Sequence, residues 1–162
     1  MEKKEIKITV ARYTDLTELA EADLQLIEAA REMAKKAYAP YSGFKVGAAL
    51  RLANGTIVGG SNQENASSPV GSCAERTALF WAGANFPDTA PLSIAVTAID
   101  QSGVHAACLS PCGLCRQSLL EAEMRFKQPI RVLLDTREHV DVLDDVKSLV
   151  PLSFDGNSLI SG

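Results

Sequence analysis

Three cysteines and one glutamate are the residues best suited to chemistry: Cys73-Ala74-Glu75, and further along Pro111-Cys112-Gly113-Leu114-Cys115. Thiolate sulfur is a ready ligand for tetrahedral zinc, and a site with three protein ligands keeps its fourth position for water. A carboxylate two residues past the first ligand would stand beside that water without binding the metal. Ser72 and Glu75 have the spacing of a capping box, which predicts a helix starting at Cys73 and running through Phe80. Ser110-Pro111 is a second start signal, with Pro111 expected at the first helical position and Leu114, Leu119, Leu120 and Met124 following at helical spacing. Two helix N-termini would then carry all three cysteines and favour thiolate over thiol, each by about 0.3–1 kcal/mol.

Three thiolates on a divalent zinc leave a net negative charge, so a cation is expected nearby. Arg76 and Arg116 each directly follow a motif residue and could donate to a thiolate; Arg76 is the favoured one. Two other uses of the cysteines compete. A redox Cys-x-x-Cys has no need of a third Cys beside a Glu. A closed structural site would take Cys108 as fourth ligand, but its place ahead of Ser110-Pro111 reads better as a small buried residue at a strand end.

The remaining composition fits a single compact domain of 162 residues, 46% of them hydrophobic. The charged start Met1-Glu2-Lys3-Lys4 leads into no apolar stretch, and the cysteines have metal spacing rather than a disulfide framework, so a cytoplasmic location is expected and the Asn65-Ala66-Ser67 sequon should carry no glycan. No run approaches a membrane span. A net charge of −4 and a pI near 5.2, with scattered basic residues, argue against nucleic acid as partner and for a small substrate.

Several elements must position the motifs. Residues 1–22 read as an N-terminal extension, in which Ile6, Ile8 and Val10 alternate as in a short strand, and residues 23–162 as the catalytic domain. From Asp23 to Ala37 the apolar residues recur at helical spacing, ending at Ala39-Pro40. Val46–Leu52 and Thr56–Gly60 read as a hairpin joined by Ala53-Asn54-Gly55, in which Asn54-Gly55 is a strong turn signal because both positions tolerate positive φ. Leu92–Ile99 and Ile130–Leu134 are β-branched runs following helices, which implies parallel pairing, and Val140–Leu143 reads as an edge strand. Together these define an α/β fold, a mixed central β-sheet with helices packed on it. Phe80, Trp81 and Phe86 are expected in the core or at a subunit interface, and His105 and His139 lie outside every motif.

The order of motifs resembles the cytidine deaminases of the small, homotetrameric type. The resemblance spans about residues 23–155 and rests on Tyr38-Ala39-Pro40-Tyr41-Ser42-Gly43-Phe44-Lys45-Val46-Gly47-Ala48-Ala49, on Asn62-Gln63-Glu64-Asn65-Ala66, on Cys73-Ala74-Glu75-Arg76-Thr77-Ala78 and on Pro111-Cys112-Gly113-Leu114-Cys115-Arg116-Gln117. It implies a three-layer fold with the sheet sandwiched by helices, and a homotetramer with sites at subunit interfaces. Cys73, Cys112 and Cys115 would hold Zn²⁺, Glu75 would shuttle protons and Arg76 would neutralise thiolate charge. Asn62 and Glu64 would hold the ribose 3′-hydroxyl, Phe44 would face the pyrimidine, Ala66 would join the substrate site, and the Ala74 backbone would lie at the base. Phe154 would close a neighbour's pocket. The implied reaction is hydrolytic deamination of cytidine and 2′-deoxycytidine by zinc-activated water, a pyrimidine salvage step. The chain departs from the family pattern at Ser68-Pro69, where many relatives have Tyr before the Pro, and at Asp155, where Gly usually follows the Phe. A deaminase of modified nucleosides or free bases, a non-catalytic zinc module and a polynucleotide deaminase are the other readings.

Overall fold

The computed structural model describes residues 1–156. Six strands form one mixed sheet: β1 (Ala11–Tyr13), β2 (Lys45–Leu52), β3 (Ile57–Ser61), β4 (Pro91–Ile99), β5 (Arg131–Asp135) and β6 (Val140–Leu143), in spatial order β1-β6-β5-β4-β2-β3. Three α-helices cover it: α1 (Glu21–Ala34), α2 (Ala74–Asn85) and α3 (Gly113–Phe126). Period-two alternation divides the strands between two cores. Leu26, Ile27 and Ala30 of α1 pack on Ala49, Ala95 and Leu133, while α2 and α3 pack on Leu50, Ile94, Val96 and Val132 from the other side. The three expected layers are therefore present.

Among the described strands only β4 and β5 pair in parallel, joined across α3; the other neighbours are antiparallel. Helices between strands thus signal a crossover, not parallel adjacency: α2 links β3 to β4, but β2 lies between them. In the hairpin only Gly55 takes positive φ (+85°), and Gly55 donates to the Leu52 carbonyl while Leu52 donates to Thr56. That is a type I turn closed by a left-handed glycine: Ala53-Asn54-Gly55 is the connection as expected, and of the Asn54-Gly55 pair only the glycine uses the positive φ that both tolerate. The expected edge strand β6 is an inner strand, because β1 pairs with it outside, Arg12 opposite Asp141. Residues 6–10, which carry the alternating apolar pattern, precede β1 rather than form it. The N-terminal extension thus contributes a strand to the same sheet.

Both site helices begin one residue or more after the expected start. Cys73 is the N-cap of α2, and Ser72 makes no capping bond; its hydroxyl donates to the Cys73 carbonyl and accepts from Thr77. Cys112 is the N-cap of α3, which leaves Pro111 just outside the helix. Phe80 and Trp81 are more than half exposed, so they are not core residues, whereas Phe86 packs partly against the core.

Candidate active site

Close approach to a glycine sets the position of α2. A Cβ on Gly60 of β3 would stand 2.4 Å from the Ala74 carbonyl oxygen and 2.5 Å from the Ala78 nitrogen, so only glycine lets the first turn of α2 lie directly on the strand. That turn carries Cys73 and Glu75. The first turn of α3 brings Cys112 and Cys115 to the same place.

The three sulfurs form a compact triangle. Cys112 Sγ lies 3.7 Å from Cys73 Sγ and 3.5 Å from Cys115 Sγ, and all three fall within 4.8 Å of one another. Sulfurs bound tetrahedrally at about 2.3 Å from zinc stand roughly 3.7–3.8 Å apart, so the donor set fits the metal in chemistry and spacing. Cys115 is buried at the back and Cys112 faces solvent. The Cys73 thiol is lowered to about 5, chiefly by hydrogen bonding from Cys115 and then Cys112 and Arg76, against the effect of burial. Cys115 moves up, because it serves as proton donor to Cys73 and is desolvated. Cys108 is exposed and takes no part in the cluster, contrary to the expected buried strand end, and the closed four-cysteine site loses its fourth ligand.

Glu75 is 4% exposed, and burial pushes its carboxyl above the ordinary range, with the charge on Cys73 adding to the shift. A carboxyl so raised holds a proton more readily than an exposed one, which suits it to proton transfer. Arg76 lies against Cys73 and Cys115. Burial works against its charge, but the two sulfurs outweigh that and raise its pKa. Its Nε is buried without a hydrogen-bond partner, one Nη donates to the Gly71 carbonyl at 3.4 Å, and both hydrogen bonding and charge link the guanidinium to the Cys73 and Cys115 sulfurs. Arg116 does not face the sulfurs at all: it donates to the carbonyls of Pro111 and Leu149 and to the Ser110 hydroxyl.

A cavity of about 650 Å³ opens in front of this cluster, and Cys73, Cys112, Glu75 and Arg76 line its floor. Phe44, 38% exposed, lines the wall with Val46, Val96 and Leu109. Asn62, Glu64 and Ala66 line the rim. The Asn62 side chain accepts from the Val46 amide (2.8 Å) and donates to the Phe44 carbonyl (3.0 Å), which fixes Phe44 at the entry of β2. One hydrogen of its amide nitrogen is left for another acceptor. Glu64 accepts from the Tyr41 amide (2.9 Å), the Ser42 amide (3.2 Å) and the Ser42 hydroxyl, and the Ser42 hydroxyl bond most of all holds its carboxyl below the ordinary range. Ala74 lies buried under the floor, and Phe154 stands outside this cavity, 61% exposed, with its carbonyl held by Gln117 at 3.0 Å. Sequence reasoning missed Val46, Val96 and Leu109: the two valines carry no signal beyond strand alternation, and Leu109 is an apolar residue of the loop before α3.

A mixed sheet carrying three helix-borne sulfurs and a buried carboxyl at the floor of an open cavity defines a zinc hydrolase class of site. Residues 20–127 match the model of the cytidine and deoxycytidylate deaminase zinc-binding region, and the chain belongs to that family; its cofactor is zinc. Among its relatives, the cytidine deaminase of Halalkalibacterium halodurans is 44% identical over 96 residues, covering 59% of this chain and 68% of that protein. The cytidine deaminase of Mycobacterium tuberculosis is 38% identical over 108 residues, 63% of this chain and 74% of that one. The crystal structure of cytidine deaminase from Burkholderia pseudomallei superposes with a TM-score of 0.66 at 40% identity, covering 81% of this chain and 98% of that chain.

Proposed function

We propose that this protein catalyses the hydrolytic deamination of cytidine and 2′-deoxycytidine to uridine and 2′-deoxyuridine, with release of ammonia, as a cytoplasmic enzyme of pyrimidine salvage. The observation that carries this reading is the set of three sulfurs at tetrahedral spacing beside buried Glu75, on the floor of a cavity with an apolar wall and a polar rim. Cys73, Cys112 and Cys115 are the residues that would hold the zinc, and Arg76 offsets their charge. When bound, zinc supplies a strong nucleophile from water at neutral pH.

The chain's own residues do the rest. Glu75 takes a proton from the attacking water and passes it to N3 of the pyrimidine, then moves the proton of the new C4 hydroxyl to the C4 amine, which leaves as ammonia while the C4 carbonyl forms. The Phe44 ring faces the base. The free Asn62 hydrogen and the remaining acceptor capacity of Glu64 together match one hydroxyl, which both accepts and donates, and the ribose 3′-hydroxyl fills that role. An intact nucleoside is therefore favoured over free cytosine, which would leave both groups unpaired. The exposed Phe80, Trp81 and Phe154 fit burial between subunits of a homotetramer, Phe154 closing a neighbour's cavity. Among the described residues no helix is long and apolar enough to cross a membrane.

The test is to incubate zinc-loaded protein with cytidine, following loss of cytosine-ring absorbance and release of ammonia, beside Glu75→Gln. Turnover by the wild type alone is the expected result. Absence of turnover, with zinc bound in both proteins, would overturn the assignment and point to modified pyrimidine nucleosides.

A further inference from the structure

Arg116 sits next to a sulfur ligand yet spends its guanidinium elsewhere. Its Nε donates to the Pro111 carbonyl at 2.8 Å, one Nη to the Leu149 carbonyl at 3.1 Å and the other to the Ser110 hydroxyl at 2.8 Å. These three acceptors lie on two separate segments. Pro111 and Ser110 lead into Cys112, and Leu149 ends the 3₁₀ turn Lys147–Leu149 that leads to the C-terminal residues. Pro111 is buried, while Cys112 is the outermost sulfur of the three and caps α3 with no side-chain capping bond of its own.

We propose that Arg116 is a positioning residue for the zinc site: it fixes the Pro111–Cys112 peptide, and so the Cys112 sulfur, by tying it to the C-terminal segment at Leu149. A peptide carbonyl held on one side of the chain sets the direction of the next Cα–Cβ bond, and the rigid planar fork of arginine can hold acceptors in three directions at once. Gln117 makes the neighbouring tie, to the Phe154 carbonyl. The first turn of α3 therefore carries two of the sulfurs on one face and grips the C-terminal segment with the other. Charge plays no part in this role, which separates it from that of Arg76. Ligand-orienting groups of this kind are worth about 10–100-fold in metal affinity.

Charge and shape can be separated by substitution. Zinc affinity is measured by competition with a chromophoric chelator for the wild type, Arg116→Lys and Arg116→Gln, and amide hydrogen exchange is followed at Leu149 and Val150, whose amides close the 3₁₀ turn. Lys keeps the charge and loses the fork. The expected result is a loss of about 10–100-fold in zinc affinity in both variants, with faster exchange at Leu149 and Val150. Wild-type affinity in Arg116→Lys would overturn the proposal in favour of a charge effect, and unchanged affinity in both would overturn it outright. Ser110→Ala, which removes a single acceptor on an exposed loop, supplies the same readout if the arginine variants do not fold: a smaller loss in the same direction is expected, and none would count against the proposal. The proposal rests on the zinc reading of the site but not on its substrate. A protein inactive on cytidine whose zinc affinity falls in both arginine variants would retract the substrate and keep the role of Arg116.

Discussion

Helices α1 and α2 rest on opposite faces of the sheet, and each comes down on a glycine. A Cβ on Gly47 would stand 2.0 Å from the Ala30 carbonyl oxygen and 2.3 Å from the Ala34 nitrogen; on Gly60 it would meet Ala74 and Ala78 at similar range. The difference lies in which part of the helix makes the approach. Against Gly47 it is the later turns of α1, so the contact sets the distance between two layers. Against Gly60 it is the first turn of α2, so the contact fixes a helix end, where a sulfur, a buried carboxyl and the positive pole of the dipole meet. One packing device serves stability in the first place and chemistry in the second.

The sharpest way to expose this difference is to change one group on each side. Glu75→Gln on the α2 side is expected to lower turnover of cytidine by about 10²–10⁴-fold, with thermal stability and zinc affinity kept, as read by steady-state rates beside melting curves. On the α1 side, Arg31 holds the buried Asp135 with two bonds of 2.8 Å. Arg31→Gln should cost about 3 kcal/mol in urea unfolding, the low end for a buried pair because Arg31 is itself 30% exposed, and should leave zinc affinity unchanged.

The paired glycine variants come next. Gly60→Ala and Gly47→Ala are each expected to destabilise by about 1–3 kcal/mol through forced separation of helix and strand. Only Gly60→Ala should also weaken zinc binding in a chelator competition; equal weakening in both would show that layer spacing, not the helix end, governs the site. The smallest effect is expected farthest from either helix. Arg12 donates to both oxygens of Asp141 (2.7 and 2.8 Å) and lowers the pKa of that carboxyl, with His139 contributing after the cost of burial. A lowered folded-state value means that the stabilisation is fully present above the ordinary carboxylate range, near pH 4, and disappears as pH falls through the folded value. Arg12→Gln should therefore speed hydrogen exchange in β1 at neutral pH, and the gap between the two proteins should narrow below about pH 4.

Spacing along the chain made the metal cluster legible, because Cys-x-Glu and Cys-x-x-Cys each fit one helical turn. The span from Lys45 to Ser61 was legible for a similar reason, since a turn glycine between two alternating runs leaves little choice. What depended on distant partners was not. Ile6, Ile8 and Val10 have the better strand pattern, yet β1 forms at Ala11–Tyr13, where Arg12 can reach Asp141 across the ladder. Ser72 has the sequence of a cap, but its hydroxyl is taken up by Cys73 and Thr77. Arg116 shares with Arg76 a place directly after a motif residue, which makes it the less favoured candidate for a thiolate partner; nothing local shows that Leu149 will arrive within its reach. The apolar cavity wall stayed hidden because Val46 and Val96 look like any other strand residues.

The outermost strands bear on a hazard of another kind. An open sheet presents unpaired backbone groups on which a strand of another chain can be added, and long, flat, apolar edges are the usual starting points of fibrous aggregates. Here one edge is β1, three residues long, with Arg12 at its centre; the other is β3, five residues long, with Gly59 and Gly60 in its middle. By covering β6, whose Val140 and Val142 would otherwise lie at the margin, the short β1 leaves a foreign strand little backbone to extend and a charge to displace. The apolar interior of this sheet is thus kept from serving as a template while the protein is concentrated.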